Sequence, residues 1–302
     1  MTRLLVVGGI NMDYVFEAPC LPRNGETLRG QSFRRAPGGK GADQAVAAAR
    51  LGAETWLVGC VGDDAEGREL LGGLRAEGVR TAHVVTTSGA PSGVAAVFAC
   101  QGESAVTVVP GANHWLTAAH VRAAEPLFAD SDVVLAEMGI PIAAAMEAAC
   151  LAHRFGKPFL LTLSPAGAIA PELAERVNLF LANHHELMVS FGDGEADWRT
   201  LLGRRPGRLV VTRGSEGAAH VDAQGHLHEQ AAFRVPVQDT TGAGDAFAAA
   251  LAVHWALGIP EAMRVACAAA AMAVRGVGSQ STLPTRQALS DFLEEHASKR
   301  PA

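Results

Sequence analysis

Six short apolar runs, at residues 4–7, 55–58, 132–136, 159–162, 179–182 and 208–212, alternate for the most part with stretches of helical spacing. This alternation restricts the fold more than any other feature of the chain. A continuous apolar strand is buried on both faces, and a parallel neighbour needs a crossover, usually a helix, to reach it. The pattern predicts an α/β fold, a doubly wound, mainly parallel sheet with helices on both faces. Two regions break the rhythm. Residues 13–36 and 92–109 lack long helical periodicity, and Val94-Ala95-Ala96-Val97-Phe98-Ala99, Gln101-Gly102-Glu103 and Ala105-Val106-Thr107-Val108-Val109 read together as a hairpin. These segments are expected to form a small β lid. No repeat, low-complexity tract or Pro/Ser linker divides the 302 residues, so a single domain, 1–302, with the lid inserted near 13–36 and 92–109 is expected.

Composition narrows the function. A net charge of −6 without a concentrated basic face argues against nucleic acid as a partner. The five cysteines are odd in number, widely spaced and without a C-x-x-C pair, which fits reduced thiols in a cytoplasmic protein rather than zinc or disulfide chemistry. The opening apolar run ends at Gly8-Gly9 and is too short for a signal h-region or a membrane span, so neither export nor a membrane anchor is expected.

In doubly wound sheets, ligands collect at the carboxyl ends of the strands. Asn11, Asp13, Glu137, Asn183 and Thr212 all follow or end apolar runs of this kind. Near the C-terminus, Asp239-Thr240-Thr241-Gly242-Ala243-Gly244-Asp245 leads into the apolar Ala246-Phe247-Ala248-Ala249-Ala250-Leu251. Free N–H groups and the dipole at such a helix start favour an anion. Asp245 has two readings there: a carboxylate in its favoured first turn, or a base that takes a proton from a hydroxyl attacking a phosphate. Other nucleotide motifs fail. Gly39-Lys40 is followed by Gly41 and lacks the earlier P-loop glycine, and Gly242-Ala243-Gly244 does not continue as a dinucleotide fingerprint. His184-His185 and His226/His228 lack zinc-site spacing and read as surface or turn residues.

Assembled, the motifs resemble the ribokinase family of sugar and nucleoside kinases over nearly the whole chain. They comprise Gly8-Gly9-Ile10-Asn11-Met12-Asp13, Gly38-Gly39-Lys40-Gly41-Ala42-Asp43-Gln44, Pro110-Gly111-Ala112-Asn113, Asn183-His184-His185-Glu186, Thr212-Arg213-Gly214-Ser215-Glu216-Gly217 and Asp239 to Asp245. The resemblance implies ATP-dependent phosphorylation of a primary sugar hydroxyl, with D-ribose to ribose 5-phosphate as the leading case. Another pentose, a ketohexose or a nucleoside is the alternative within the class, and a sugar sensor without turnover is the alternative outside it. Asp245 is then the general base, and the N–H groups of Gly242, Ala243 and Gly244 form the anion hole. Asn183 and Glu186 would organise Mg²⁺, and Thr212, Gly214 and Gly217 would lie along the nucleotide. Asn11, Asp13, Gly39, Lys40, Asp43 and Glu137 would hold the sugar. Asp239, Thr241, Ala273, Gly278 and Thr282 would surround a monovalent cation, usually K⁺. The resemblance also implies a homodimer paired through the lids.

One position departs from the pattern. Asp43 stands where the family typically has asparagine. An ionised aspartate only accepts hydrogen bonds, whereas asparagine also donates. With Asp13 and Glu137 it sets three acids against Lys40, so a neutral or partly basic polyol is expected rather than a sugar acid.

Overall fold

The computed structural model describes residues 1–100, 103–192 and 196–297. Its strands are β1 (Arg3–Val7), β2 (Asn11–Glu17), β3 (Ser32–Gly38), β4 (Glu54–Gly62), β5 (Arg80–Thr87), β6 (Gly93–Cys100) and β7 (Glu103–Val109). They continue with β8 (Val133–Glu137), β9 (Phe159–Thr162), β10 (Leu179–Asn183), β11 (Leu209–Thr212), β12 (Ala218–Val221) and β13 (Leu227–Gln230). The main sheet runs β13-β12-β11-β10-β9-β8-β1-β4-β5. Its strands pair in parallel from β11 to β5, and β12 and β13 add an antiparallel edge.

The doubly wound expectation holds in detail. Leu4 and Val6 of β1 enter one core, while Leu5 and Val7 enter another on the opposite face. Successive strand side chains point to opposite faces, so a strand apolar at every position must be covered twice. From β1 the chain first builds outward to β4 and β5, then returns to β8 on the other side. The switch point is thus the β1/β8 pair, and Glu137 closes β8 at its carboxyl end. All six apolar runs became strands. β5 and β13 did not stand out in the sequence because they lie at sheet edges, where polar residues such as Arg80, His83 and Glu229 interrupt the apolar pattern, and β12 is only four residues long and includes His220.

The lid is a second sheet in the order β3-β2-β6-β7, at the expected segments; residues 101–102 of the hairpin lie outside the described residues. It rests on the helix α2 (Ala65–Ala76) through Tyr14 Oη donating to Glu66 at 3.1 Å and an Arg35–Glu69 ion pair. Asp64 secures the root of the lid. Its carboxylate caps α2 by accepting from Gly67 N–H at 2.7 Å and also accepts from the N–H and hydroxyl of Ser92, each at 2.7 Å.

Candidate active site

The helix α1 (Lys40–Arg50) starts against the end of β1 because both segments are glycine there. A Cβ on Gly41 would stand 2.5 Å from the backbone of Gly8, and one on Gly39, whose φ is +92°, would stand 2.6 Å from Asn11 N. Only glycine permits this approach. The contact brings Lys40, Asp43 and Gln44 to the switch point. Asn11 is fixed there by Asn113, whose amide nitrogen donates to Asn11 Oδ1 at 2.7 Å while its oxygen accepts from Ile10 N–H at 2.8 Å.

The helix Ala243–Val253 enters from the far end of the sequence. Gly242, at φ +79°, provides its left-handed start, where a Cβ would press on Ser279 O at 2.8 Å. Asp245 follows in the first turn, 8% exposed, and its Oδ1 accepts from Gln44 Nε2 at 2.9 Å. Burial raises the Asp245 carboxyl, and the Lys40 ammonium opposes that rise. Asp245 is in turn the largest influence holding Lys40 protonated. Among the described residues the N–H groups of Gly242 and Gly244 have no protein partner, while Ala243 N–H turns to Thr240 O at 3.3 Å. Of the three expected anion-hole donors, Gly242 and Gly244 are therefore free, and Ala243 is engaged by a long bond.

Five carboxyls act on this single lysine, those of Asp13, Asp43, Glu137, Glu186 and Asp245, and burial raises Asp13, Asp43, Glu137 and Asp245. Asp13 rises to about 6 and Glu137 to about 7, each mainly through burial. Glu137 is 1% exposed and spans two backbone segments, accepting from Gly9 N–H at 2.8 Å and Gly139 N–H at 2.5 Å. Its first task is to hold the β1 and β8 ends together. Asp43, 4% exposed, is pushed well above the carboxylate range by burial and then by Asp245 and Asp13. Burial raises Asp43 and Asp245 alike; Lys40 and the Gln44 amide oppose the rise at Asp245, and hydrogen bonds from Gln280 and Ser279 oppose it at Asp43.

The expected nucleotide residues come together. Thr212, Gly214 and Gly217 border a largely apolar cavity of about 460 Å³ that reaches Ala243, Gly244 and Phe247. A nucleotide base and sugar suit such a cavity, with its phosphates directed at the helix start. A second cavity, about 270 Å³, opens under the lid beside Asp13 and is bordered by Arg34, Asp239, Thr241, Gly278 and Ser279. Arg34 was not legible as a site residue in the sequence, yet its charge acts on both Asp13 and Asp239.

Asn183 and Glu186 form a reciprocal capping box: Asn183 Oδ1 accepts from Glu186 N–H at 2.8 Å, and Glu186 Oε2 accepts from Asn183 N–H at 2.9 Å. That leaves Glu186 Oε1, an oxygen donor suited to a Mg²⁺ ion or its waters. Asp239 accepts from Thr241 N–H and Oγ1–H at 2.9 and 2.6 Å with one oxygen, and from Gly278 N–H at 2.9 Å with the other. Thr282 Oγ1 donates to Gly278 O at 2.9 Å, and Ala273 ends the Ile259–Ala273 helix. These five residues thus gather around one loop, and their all-oxygen donor set fits a hard monovalent cation. Among the described residues no cluster of three or more His, Cys, Asp or Glu could hold a metal ion, His184-His185 are exposed, and His226 and His228 both pair with Asp222. No helix among them is long and apolar enough to cross a membrane.

A buried carboxylate at a glycine-built helix start, between an apolar cavity and a polar one, is the layout of a small-molecule phosphotransferase. The model of the pfkB family of carbohydrate kinases matches residues 1–286, and the chain belongs to that family. It is similar to the ribokinase of Bacillus subtilis (strain 168), at 36% identity over 295 residues covering 97% of this chain and 100% of that protein. The ribokinase of Haemophilus influenzae (strain ATCC 51907 / DSM 11121 / KW20 / Rd) is 34% identical over 301 residues, covering 96% and 98%. Among solved structures, Arabidopsis thaliana ribokinase complexed with ribose and ATP superposes with a TM-score of 0.87 at 28% identity, covering 97% of this chain and 99% of that one.

Proposed function

We propose that the protein transfers the γ-phosphoryl group of ATP to the primary hydroxyl of a sugar, with D-ribose giving ribose 5-phosphate as the leading reaction. The observation that carries this reading is Asp245, buried beside Lys40 and Gln44 and one turn from unpartnered backbone N–H groups. The hydroxyl oxygen attacks the γ-phosphorus, its proton passes to Asp245, and the bond to the β–γ bridging oxygen breaks, leaving ADP. The N–H groups of Gly242 and Gly244, with Lys40, stabilise charge on the transferring oxygens. Asn11, Asp13, Gly39, Asp43 and Glu137 hold the sugar, and Thr212, Gly214 and Gly217 hold the nucleotide. Bound near Asn183 and Glu186, Mg²⁺ would neutralise phosphate charge. A K⁺ ion among Asp239, Thr241, Ala273, Gly278 and Thr282 would brace the loop beside the anion hole.

The lid is read as one inserted part of a single cytoplasmic domain and as the contact between two subunits of a homodimer. Phe33, Val106 and Val108 are each more than half exposed on it, which supports a partner there. The test is coupled ADP release over pentoses, ketohexoses and nucleosides, with and without K⁺, in parent and D245N proteins. Ribose-dependent turnover that D245N abolishes is expected. ATP use that no sugar or nucleoside stimulates would refute the kinase reading.

A further inference from the structure

The inner face of the lid carries two charged groups that the protein leaves unpartnered, and both border one cavity. Residues directly opposite on antiparallel strands share a face, so the pairs Asp13–Ala36 and Val15–Arg34 put Asp13 and Arg34 on the same side of the lid. They are diagonal neighbours there, about 7–8 Å apart, close enough for one small ligand to touch both. That side roofs the cavity of about 270 Å³, and residues 238–241 and 277–279 lie beneath it. Arg34 is the one basic residue on its described lining. It is half-buried and reaches toward Gly278, where a Cβ would lie 3.5 Å from Nη1. Among the described residues its guanidinium makes no hydrogen bond or ion pair. The Asp13 carboxylate lies over Gly38, where any Cβ would overlap it, and its Oδ1 is buried without a partner. The neighbouring acids are already engaged. Glu17 accepts from the Ser32 hydroxyl at 2.7 Å, and both Asp239 oxygens accept from Thr241 and Gly278. A buried charged group left without partners is costly, so the pair Asp13 and Arg34 calls for a ligand between them. A hydroxyl suits both, because it donates to a carboxylate and accepts from a guanidinium. An ammonium only donates and meets the charge of Arg34, while a carboxylate only accepts and meets that of Asp13.

We propose that Arg34 is a specificity-determining residue carried by the lid: its guanidinium donates to the oxygen of one ring hydroxyl of the sugar, and the Asp13 carboxylate accepts the hydrogen bond of that same hydroxyl. The cavity is then the lid side of the acceptor site, and the ligand class is a neutral polyol rather than an amino sugar or a sugar acid. The inference rests on the kinase reading and deepens it.

The test pairs the variants R34M and R34K with ribose and its 1-, 2- and 3-deoxy analogues, with affinity measured by calorimetry and kcat, sugar KM and ATP KM by coupled ADP release. R34M is expected to weaken ribose binding about tenfold, as loss of a hydrogen bond from a charged group does, with kcat within about threefold and ATP KM unchanged. R34K keeps a charged donor and should recover part of the loss. For at least one deoxy analogue, the one lacking the bracketed hydroxyl, R34M should have no further effect. An equal loss for ribose and all three analogues would show that Arg34 acts through the shape of the lid and would overturn the inference. Unchanged ribose affinity in R34M would do the same, as would a loss that excess K⁺ removes, which would place the action of Arg34 at Asp239. Without ligand, R34M should melt with the parent; a lowered melting temperature would show that the guanidinium is bonded within the fold, again overturning it. A parent that neither binds a sugar nor consumes ATP would refute the kinase reading instead.

Discussion

The contact between Gly8 and Gly41 sets the position of every α1 residue in the site, and G41A measures its importance. The backbone at Gly41 is ordinary helix, so alanine brings no strained φ and gains about 1 kcal/mol of helix propensity. Against that, its Cβ would stand 2.5 Å from Gly8 Cα and C, where ordinary contact begins at 3.4 Å. α1 must therefore retreat by about 0.9 Å from a strand that is buried on both faces. Overpacking of this kind costs about 1–3 kcal/mol, and a misplacement near 1 Å costs about 10²-fold in rate. Expected are a melting temperature lowered by a few degrees and a kcat/KM for the sugar reduced about 100-fold. Thermal unfolding and coupled ADP release read the two effects. G73A is the control: Gly73 lies in α2, where a Cβ meets nothing within 4 Å, so it should gain stability and keep full activity. If G41A matched G73A in both measurements, the close approach would not be what positions the site.

Three further outcomes follow from the same geometry. D245N should lower kcat by about 10²–10⁴-fold while ribose binding measured by calorimetry stays within a few-fold, and parent kcat/KM should fall on acidification along a limb lying above the ordinary carboxylate range near 4, because burial raises Asp245. Unchanged turnover in D245N would remove it as the base. The raised pKa values of Glu137 and Asp13 mean that the folded chain holds more protons than the unfolded one between about pH 4 and 7, so stability should fall as pH rises through that window. E137Q should flatten part of that slope in urea unfolding, at a cost of about 1–3 kcal/mol for turning an amide nitrogen toward the N–H of Gly139 or Gly9; a slope equal to the parent's would show that Glu137 does not hold its proton. G217A forces alanine to φ +97° with its Cβ overlapping Gln230 O, and should raise ATP KM while leaving ribose affinity intact, as separate titrations of the two ligands would reveal.

What the sequence disclosed, and what it withheld, follows from the range over which each feature is determined. β1, β4 and β8 to β11 were legible because burial on both faces makes every residue of such a strand apolar, a property each segment carries by itself. Lys40, Asp245 and the flanking glycines were legible for a similar reason, since a helix start built for close approach needs its glycines at fixed spacing. The partners of Gln44, Asn113 and Gln280 were not. Gln44 reaches Asp245 across 201 residues and Gln280 reaches Asp43 across 237, so no local pattern marks them. The upward shift at Asp43 is likewise a property of the assembled site: burial raises its carboxyl, and Asp245 and Asp13, arriving from distant parts of the chain, raise it further. Chemistry is therefore divided between two kinds of residue. Those at the glycine-built junction place the charged groups, while distant amides hydrogen-bond two of the buried carboxyls, Gln44 to Asp245 and Gln280 to Asp43. Asp43 and Asp245 carry the same side chain, but Asp245 alone stands at the glycine-built helix start with Lys40 as its strongest charge partner, the surroundings that favour it as the proposed base.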